Sequence, residues 1–168
     1  RAGEPRKAKW GFEYTSPDLI ARWGPRKQYI GVLEQLYSVS PYTSCPSDFE
    51  GADVIHFIDN TGAVAGNTKG YATAYDAGLI VNALSALNVR LRARIFFEYV
   101  RSKANVADLP SRPEKGLALL QEVLARLGFA EGAERIELRL PAAHSWDAPA
   151  RSWLSVTPPL AEGQPTRV

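Results

Sequence analysis

Apolar and polar positions along the chain repeat with two different periods, which predicts an α/β protein. Two runs rich in Val, Ile and Phe, at residues 54–58 and 94–100, predict buried strands. Looser alternation at residues 9–14 predicts another strand, and alternating charged and apolar residues at 135–140 predict an edge strand. Residues 40–52, with two prolines and a glycine, predict a loop.

Helical spacing of apolar residues separates these strands. Pro25 suits a first helical position, so the pattern predicts a helix over residues 25–39. A short helical segment follows at 61–69. Sequences of capping-box form predict further helix starts at Thr73 and at Ser111, the last helix ending before a glycine at position 128.

Two carboxylates lie just beyond the ends of predicted strands. Asp59 directly follows strand 54–58, and ligand sites of α/β sheets form outside such strand ends. Asp108 lies on a single helical turn that Asn105 can cap and that Pro110 shortens. An acidic residue in a turn is also compatible with a structural role alone, so both interpretations of Asp108 stay open.

Glu34 lies on the apolar stripe of the first long helix. Ile30, Leu33 and Tyr37 have the spacing of a core-facing surface, and Glu34 falls among them. Glutamate is seldom fully buried unless it is paired. Glu34 therefore either meets other polar groups inside the protein or reaches water from the edge of the stripe.

If the second and third strands are parallel neighbours, Glu34, Asp59 and Asp108 converge at one edge of the sheet. Two unit charges about 4 Å apart repel by about 4 kcal/mol at an effective dielectric constant near 20. Such a cluster requires either protonation or a cation. Oxygen ligands without Cys or His favour Mg²⁺ or Mn²⁺, and a pair of such ions about 3.5–4 Å apart can hydrolyse phosphodiesters.

Composition narrows the class of protein without naming a function. The 168 residues fit one domain with room for an appendage, and a net charge of +2 does not by itself indicate nucleic-acid binding. The single Cys45 excludes an internal disulfide and is compatible with an intracellular, reducing compartment or an organelle. No apolar run approaches the roughly 18 residues of a membrane span. Because the chain lacks methionine and starts at Arg1, we expect a processed product or a segment of a longer polypeptide.

The two ends of the chain differ in composition from its middle. Residues 1–9 are rich in Lys and Arg and predict a basic arm, either solvated or in contact with phosphate. Residues 141–168 hold several prolines together with Trp146 and Trp153. We expect an extended arm that docks these tryptophans on another surface, in cis or on a protein partner. Between the arms lie a main domain, 10–112, and a helix-and-strand extension, 113–140.

Three sequence runs carry a resemblance to a known family. Residues 57–63, Phe-Ile-Asp-Asn-Thr-Gly-Ala, resemble the end of the fourth strand and the following helix in ribonuclease H domains of retroelement reverse transcriptases. Residues 97–112 resemble the closing run V-x-S-x-x-N-x-A-D-x-P-S-R of these domains, and residues 29–34 resemble the I-x-x-L-E start of their first helix. The resemblance covers about residues 10–112. It implies a ribonuclease H-like fold: a mixed central sheet flanked by helices, with a C-terminal helix, an edge strand and an extended arm.

The resemblance also implies an activity. Glu34, Asp59 and Asp108 match three of the four acids that bind metal in the family, which cleaves RNA in RNA–DNA hybrids with two Mg²⁺ or Mn²⁺ ions. Such recognition relies on hybrid shape, 2′-hydroxyls and phosphates rather than on base sequence. The candidate nucleic-acid contacts are Asn60, Lys69, Arg101 and Lys103. Asn60 is equally able to cap the helix that follows it.

One family acid has no counterpart here. The family carries an Asp on its opening strand, but residues 1–9 contain none, and the nearest acids, Glu13 and Asp18, lie in no matching motif. The chain is therefore part of a longer protein, receives the acid from another segment, or is a degenerate relative. A degenerate domain would bind no metal and would serve as a structural or interaction subunit, docked on protein partners through its C-terminal arm.

Overall fold

Helices and strands alternate throughout the described part of the chain, which confirms the α/β class. The computed structural model describes residues 7–112, 115–129 and 133–146. The strands are β1 (Ala8–Trp10), β2 (Asp53–Ile58), β3 (Arg94–Tyr99) and β4 (Ala133–Arg135). The helices are α1 (Pro17–Ile20), α2 (Ile30–Ser44), α3 (Pro46–Phe49), α4 (Thr61–Lys69), α5 (Tyr75–Leu91) and α6 (Gly116–Arg126). Short 3₁₀ helices lie at Ser102–Ala104, Val106–Ser111 and Ala143–Ser145.

The strands form two separate sheets rather than the single mixed sheet that was expected. β2 and β3 are parallel neighbours, with Asp53 opposite Arg94 and Ile58 opposite Tyr99, as the strand order predicts. β1 pairs with β4, also in parallel. Within the described residues no strand joins β1 to β2, and residues of both strands line one cavity.

The core lies between α2, α5 and the inner face of β2 and β3. The apolar stripe of α5 faces this core, since Ile80, Ala83, Leu84 and Leu87 are all buried. Val54, Ile95 and Phe97 pack against this core from the sheet. In the described residues no helix is both long and apolar enough to cross a bilayer.

Helix α2 begins five residues later than predicted. Pro25 does not open it, because tertiary contacts hold the preceding segment in another conformation. Arg26 forms an ion pair with the buried carboxylate of Asp76. The same carboxylate accepts a hydrogen bond from the backbone N–H of Gly24 (3.3 Å), so this stretch is attached to the start of α5.

The far end of α2 extends into the predicted loop at 40–52. The helix passes through Pro41 and ends at Ser44, and α3 follows directly. Proline offers no N–H to the carbonyl four residues earlier. The Ser40 hydroxyl instead donates to that carbonyl, on Tyr37, at 2.9 Å. A side chain thus replaces the missing backbone donor and lets the helix continue.

The buried face of α2 is not the predicted stripe. Val32, Leu36 and Val39 enter the core, whereas Ile30 is 53% exposed and Leu33, Glu34 and Tyr37 are only half-buried. The helix is apolar around much of its circumference, so spacing alone could not distinguish the two faces. The predicted stripe lines the cavity instead.

The described part of the C-terminal arm packs on the core. Trp146 is 2% exposed, and its ring centroid lies 5.6 Å from that of Trp23. Docking of Trp146 is therefore in cis, the first of the two expected arrangements, and its side chain has no surface left for a partner. Trp153 lies outside the described residues, as does most of the basic arm.

Two predicted helix starts differ from the observed ones. Helix α5 begins at Tyr75, and Ala74, which has no capping side chain, precedes it in place of the predicted capping box at Thr73. Helix α6 begins at Gly116 rather than at Ser111, which belongs to a 3₁₀ helix. The predicted glycine stop is confirmed, since Gly128 has the positive φ of +89° that favours glycine.

Candidate functional site

A cavity of about 670 Å³ lies between β1, α2, the carboxyl end of β2 and α6. Most of its wall is apolar. The larger apolar side chains around it include Trp10, Phe12, Leu33, Phe57, Leu120, Leu124, Ile136 and Leu138. The same cavity is lined by all three predicted acids, Glu34, Asp59 and Asp108.

Three different elements bring these acids together. Asp59 follows the last residue of β2, where the chain turns into α4. Glu34 lies one turn into α2, on its cavity-facing side. Asp108 lies in the 3₁₀ helix Val106–Ser111, beyond the end of β3. Parallel pairing of β2 and β3 places the ends of both strands on the same side of the sheet, so acids 49 residues apart in sequence become neighbours.

The acids influence one another electrostatically. Burial raises the pKa of Glu34, and the charges of Asp59 and Asp108 raise it further, while a hydrogen bond from Asn60 opposes the rise. Burial also raises the pKa of Asp108, to which Asp59 adds, whereas Arg112 lowers it. Repulsion within the cluster thus favours a proton or a cation among its members.

The donor chemistry of the cluster fits a hard divalent cation. Glu34 Oε2 is fully buried and has no hydrogen-bond partner in the described part of the chain. A buried carboxylate oxygen without a partner is costly unless a cation or a proton satisfies it. The set of ligands is nonetheless incomplete: residues 7–112, 115–129 and 133–146 contain no group of three acidic, His or Cys side chains arranged to hold one metal ion.

The predicted nucleic-acid contacts divide into two groups. Arg101 and Lys103 are exposed on the segment that leads from β3 to Asp108, close in sequence to the cluster. Lys69 is also exposed but ends α4, about 13 Å along the helix axis from Asn60 at 1.5 Å per residue. The structure therefore does not bring Lys69 to the acids.

Asn60 and Asn105 both cap helical segments, as their positions predict. Asn60 Oδ1 accepts the backbone N–H of Ala63 at 3.0 Å at the start of α4. Asn105 Oδ1 accepts the backbone N–H of Ala107 at 3.1 Å. The capping alternative for Asn60 is therefore confirmed.

His56 lies apart from the acid cluster. Its Nδ1 is 2.7 Å from the hydroxyl of Tyr42, and its ring packs against Phe97 on the inner face of the sheet. Burial lowers the pKa of His56 to about 4, so the ring is neutral at pH 7. His56 is therefore a packing residue of the inner sheet face.

One charged neighbour of the cluster, Arg112, was not predicted from the sequence. The Arg112 guanidinium lies 3.7 Å from Asp108 Oδ2. The four-residue spacing of an acid and an arginine in a helical segment was the available signal.

Comparisons of this chain with protein-family models, with curated proteins and with solved structures found no match.

Proposed function

We propose that this chain carries the active site of a ribonuclease H-like nuclease of retroelement origin, which cleaves the RNA strand of RNA–DNA hybrids with two divalent cations. The observation that carries the proposal is the convergence of Glu34, Asp59 and Asp108 on one cavity. Their mutual repulsion and the partner-free Glu34 Oε2 are what a cation site would relieve. The resemblance of residues 29–34, 57–63 and 97–112 supplies the substrate.

In this proposal the three carboxylates hold Mg²⁺ or Mn²⁺. A bound pair of these ions would supply an activated water and stabilise the leaving oxygen. Arg101 and Lys103 contact phosphates of the hybrid near the acids, which makes binding weaken as salt concentration rises. Lys69 is too far along α4 to contact the scissile phosphate, so its contribution is limited to more distant phosphates.

The fourth carboxylate of the resembling family has to come from another segment. The cavity beside β2 is where such a segment would reach the acids. β2 is paired on one side by β3, while its carboxyl end and residues 9–13 both line the cavity. An extended segment placed there would cover apolar wall and bring an acid next to Asp59.

A second candidate function is a non-catalytic structural module. The observation that favours it is the absence, within the described residues, of a group of three side chains arranged to hold a metal. In that case the domain binds no cation, and protein partners dock on the surfaces that it leaves open. The two candidates make opposite predictions about metal-dependent cleavage.

Cleavage of a labelled RNA–DNA hybrid by the full chain, with Mg²⁺ or Mn²⁺, tests the choice. Asp59→Asn removes an acid of the cluster, and Asp53→Asn is a matched control at the opposite end of β2, where Asp53 pairs with Arg94. We expect cleavage that Asp59→Asn abolishes and Asp53→Asn retains. No cleavage and no Mn²⁺ binding by folded protein would overturn the nuclease proposal and favour the structural module.

A further inference from the structure

Two asparagines beside the acid cluster use both ends of their side-chain amides. The oxygen of each is occupied by a cap: Asn60 Oδ1 by the N–H of Ala63, and Asn105 Oδ1 by the N–H of Ala107. The NH₂ group of each remains available for a second partner. At these positions asparagine can therefore cap a helical segment and also donate a hydrogen bond to a second group.

The second partner is in both cases a carboxylate of the cluster. Asn105 Nδ2 donates to Asp108 Oδ1 at 3.1 Å. Hydrogen bonding by the side chain of Asn60 lowers the pKa of Glu34, which puts the NH₂ group of Asn60 within reach of that carboxylate. Asn60 Nδ2 also faces α2 closely, since a Cβ added to Gly31 would lie 3.9 Å from it. Each asparagine thus joins the start of a helical segment to an acid.

The choice of residue type supports this double role. Asp and Ser cap helices about as well as Asn. Asp has no donor when ionised, and Ser has one short hydroxyl in place of a separate NH₂ group. Only an amide accepts the backbone N–H at one end and donates to a carboxylate from the other.

We infer that Asn60 and Asn105 are positioning residues that fix the orientation of the Glu34 and Asp108 carboxylates for cation binding. The inference rests on the proposed function. Holding one oxygen of each carboxylate fixes the position of the other: Glu34 Oε2, which is buried and has no partner in the described part of the chain, and Asp108 Oδ2, which lies 3.7 Å from the Arg112 guanidinium. Preorientation of this kind reduces the entropy lost when a cation binds.

The first test measures, in the full chain without metal, whether the Asn60 and Asn105 side chains contact the Glu34 and Asp108 carboxylates. Side-chain amide signals of ¹⁵N-labelled protein are assigned with Asn60→Ser and Asn105→Ser. We expect Glu34→Ala to shift the Asn60 NH₂ signals and Asp108→Ala to shift those of Asn105, each leaving the other pair in place. Asn67, whose NH₂ donates to Ser38 at 3.2 Å, is the control that neither change should move.

The second test measures Mn²⁺ affinity by calorimetry. Asn60→Ser and Asn105→Ser keep a capping oxygen, so we expect an unchanged thermal midpoint but Mn²⁺ binding weaker by about 10- to 100-fold, as for other partners of metal-binding side chains. Serine variants that bind Mn²⁺ as tightly as the parent would overturn the positioning role. Asn60 and Asn105 NH₂ signals that stay in place when Glu34 or Asp108 is replaced would show that the asparagine–carboxylate contacts do not form. If the NH₂ signals shift as expected but the parent chain binds no Mn²⁺, the proposed metal site and the positioning role are both overturned. The asparagine–carboxylate contacts are then structural only.

Discussion

The two faces of helix α2 meet very different surroundings. On the core face, the buried amide of Gln35 is satisfied, because it donates to Asn67. On the cavity face, Glu34 keeps a buried oxygen without a partner in the described part of the chain. The buried polar side chain on one face of the helix has a hydrogen-bond partner among the described residues, whereas a buried oxygen on the other face has none.

This difference separates stability from function within one element. The core face buries large apolar side chains against α5, and each adds to the free energy of unfolding. The cavity face gathers carboxylates that repel one another, an arrangement that lowers stability at neutral pH. Proteins retain such local costs at sites that bind a ligand.

The largest expected effect comes from the core side. Trp146→Ala removes a buried indole that packs on Trp23, so we expect the free energy of unfolding to fall by about 3–5 kcal/mol. Urea denaturation measures it. Trp10→Ala, on the cavity wall, is the matched replacement and should cost clearly less. Equal losses would contradict the division into a packed side and an open side.

A comparison within α2 sharpens the same point. Leu36 is 0% exposed, and Leu36→Ala should lower the free energy of unfolding by about 2–4 kcal/mol. Leu33 is half-buried and lines the cavity, so Leu33→Ala should cost about 1 kcal/mol. The difference between the two urea midpoints is the measured quantity, and a larger loss at Leu33 would show that the cavity face is packed.

His56 adds a pH dependence to the core side. Burial lowers its pKa from 6.5 to about 4, so the stability that it contributes is present above pH 6.5 and is lost as pH falls toward 4. Linkage sets the loss at about 3 kcal/mol. His56→Gln should flatten this part of the profile of unfolding free energy against pH. His144→Gln, which replaces an exposed histidine, is the matched control.

The smallest effect, of opposite sign, belongs to the acid cluster. Because the pKa of Glu34 is raised, its contribution to stability is greatest at low pH and falls as pH rises through the raised value. Glu34→Gln removes the charge, and we expect a gain of about 0.5 kcal/mol at pH 7, since solvent screens a half-buried group. Glu122→Gln breaks an exposed pair with Arg126 and should give no gain. A loss at Glu34 would contradict repulsion within the cluster.

Sequence patterns predicted the elements that local chemistry determines. β2 and β3 are dense in β-branched and aromatic residues, and α4 lies between an asparagine cap and Gly70, whose φ is +74°. The shift of α2 could not be predicted, because Arg26 finds Asp76 fifty residues away and Ser40 compensates for Pro41 only once the helix exists. A long-range contact thus decided the first end of α2, and a local side-chain hydrogen bond decided the second.

The candidate site was predictable only in part, because some of its features depend on contacts between segments distant in sequence. Strand order and parallel pairing sufficed to expect that the three acids meet. The local sequence does not indicate that β1 and β2 stay apart or that the Asn60 side chain interacts with Glu34 on α2, whereas Asn105 and Asp108 are only three residues apart. Whether two strands join in one sheet or stay apart depends on the packing of the elements around them.

Thermal unfolding of the full chain with and without Mn²⁺ tests the central claim most directly, that the cavity face is a cation site. A ligand at 100 times its dissociation constant stabilises the folded state by about 2.7 kcal/mol. We predict that Mn²⁺ raises the midpoint temperature of the parent and of Asp53→Asn, but not that of Asp59→Asn or Glu34→Gln. A midpoint that Mn²⁺ leaves unchanged in the parent, or raises equally in all four proteins, would contradict the claim.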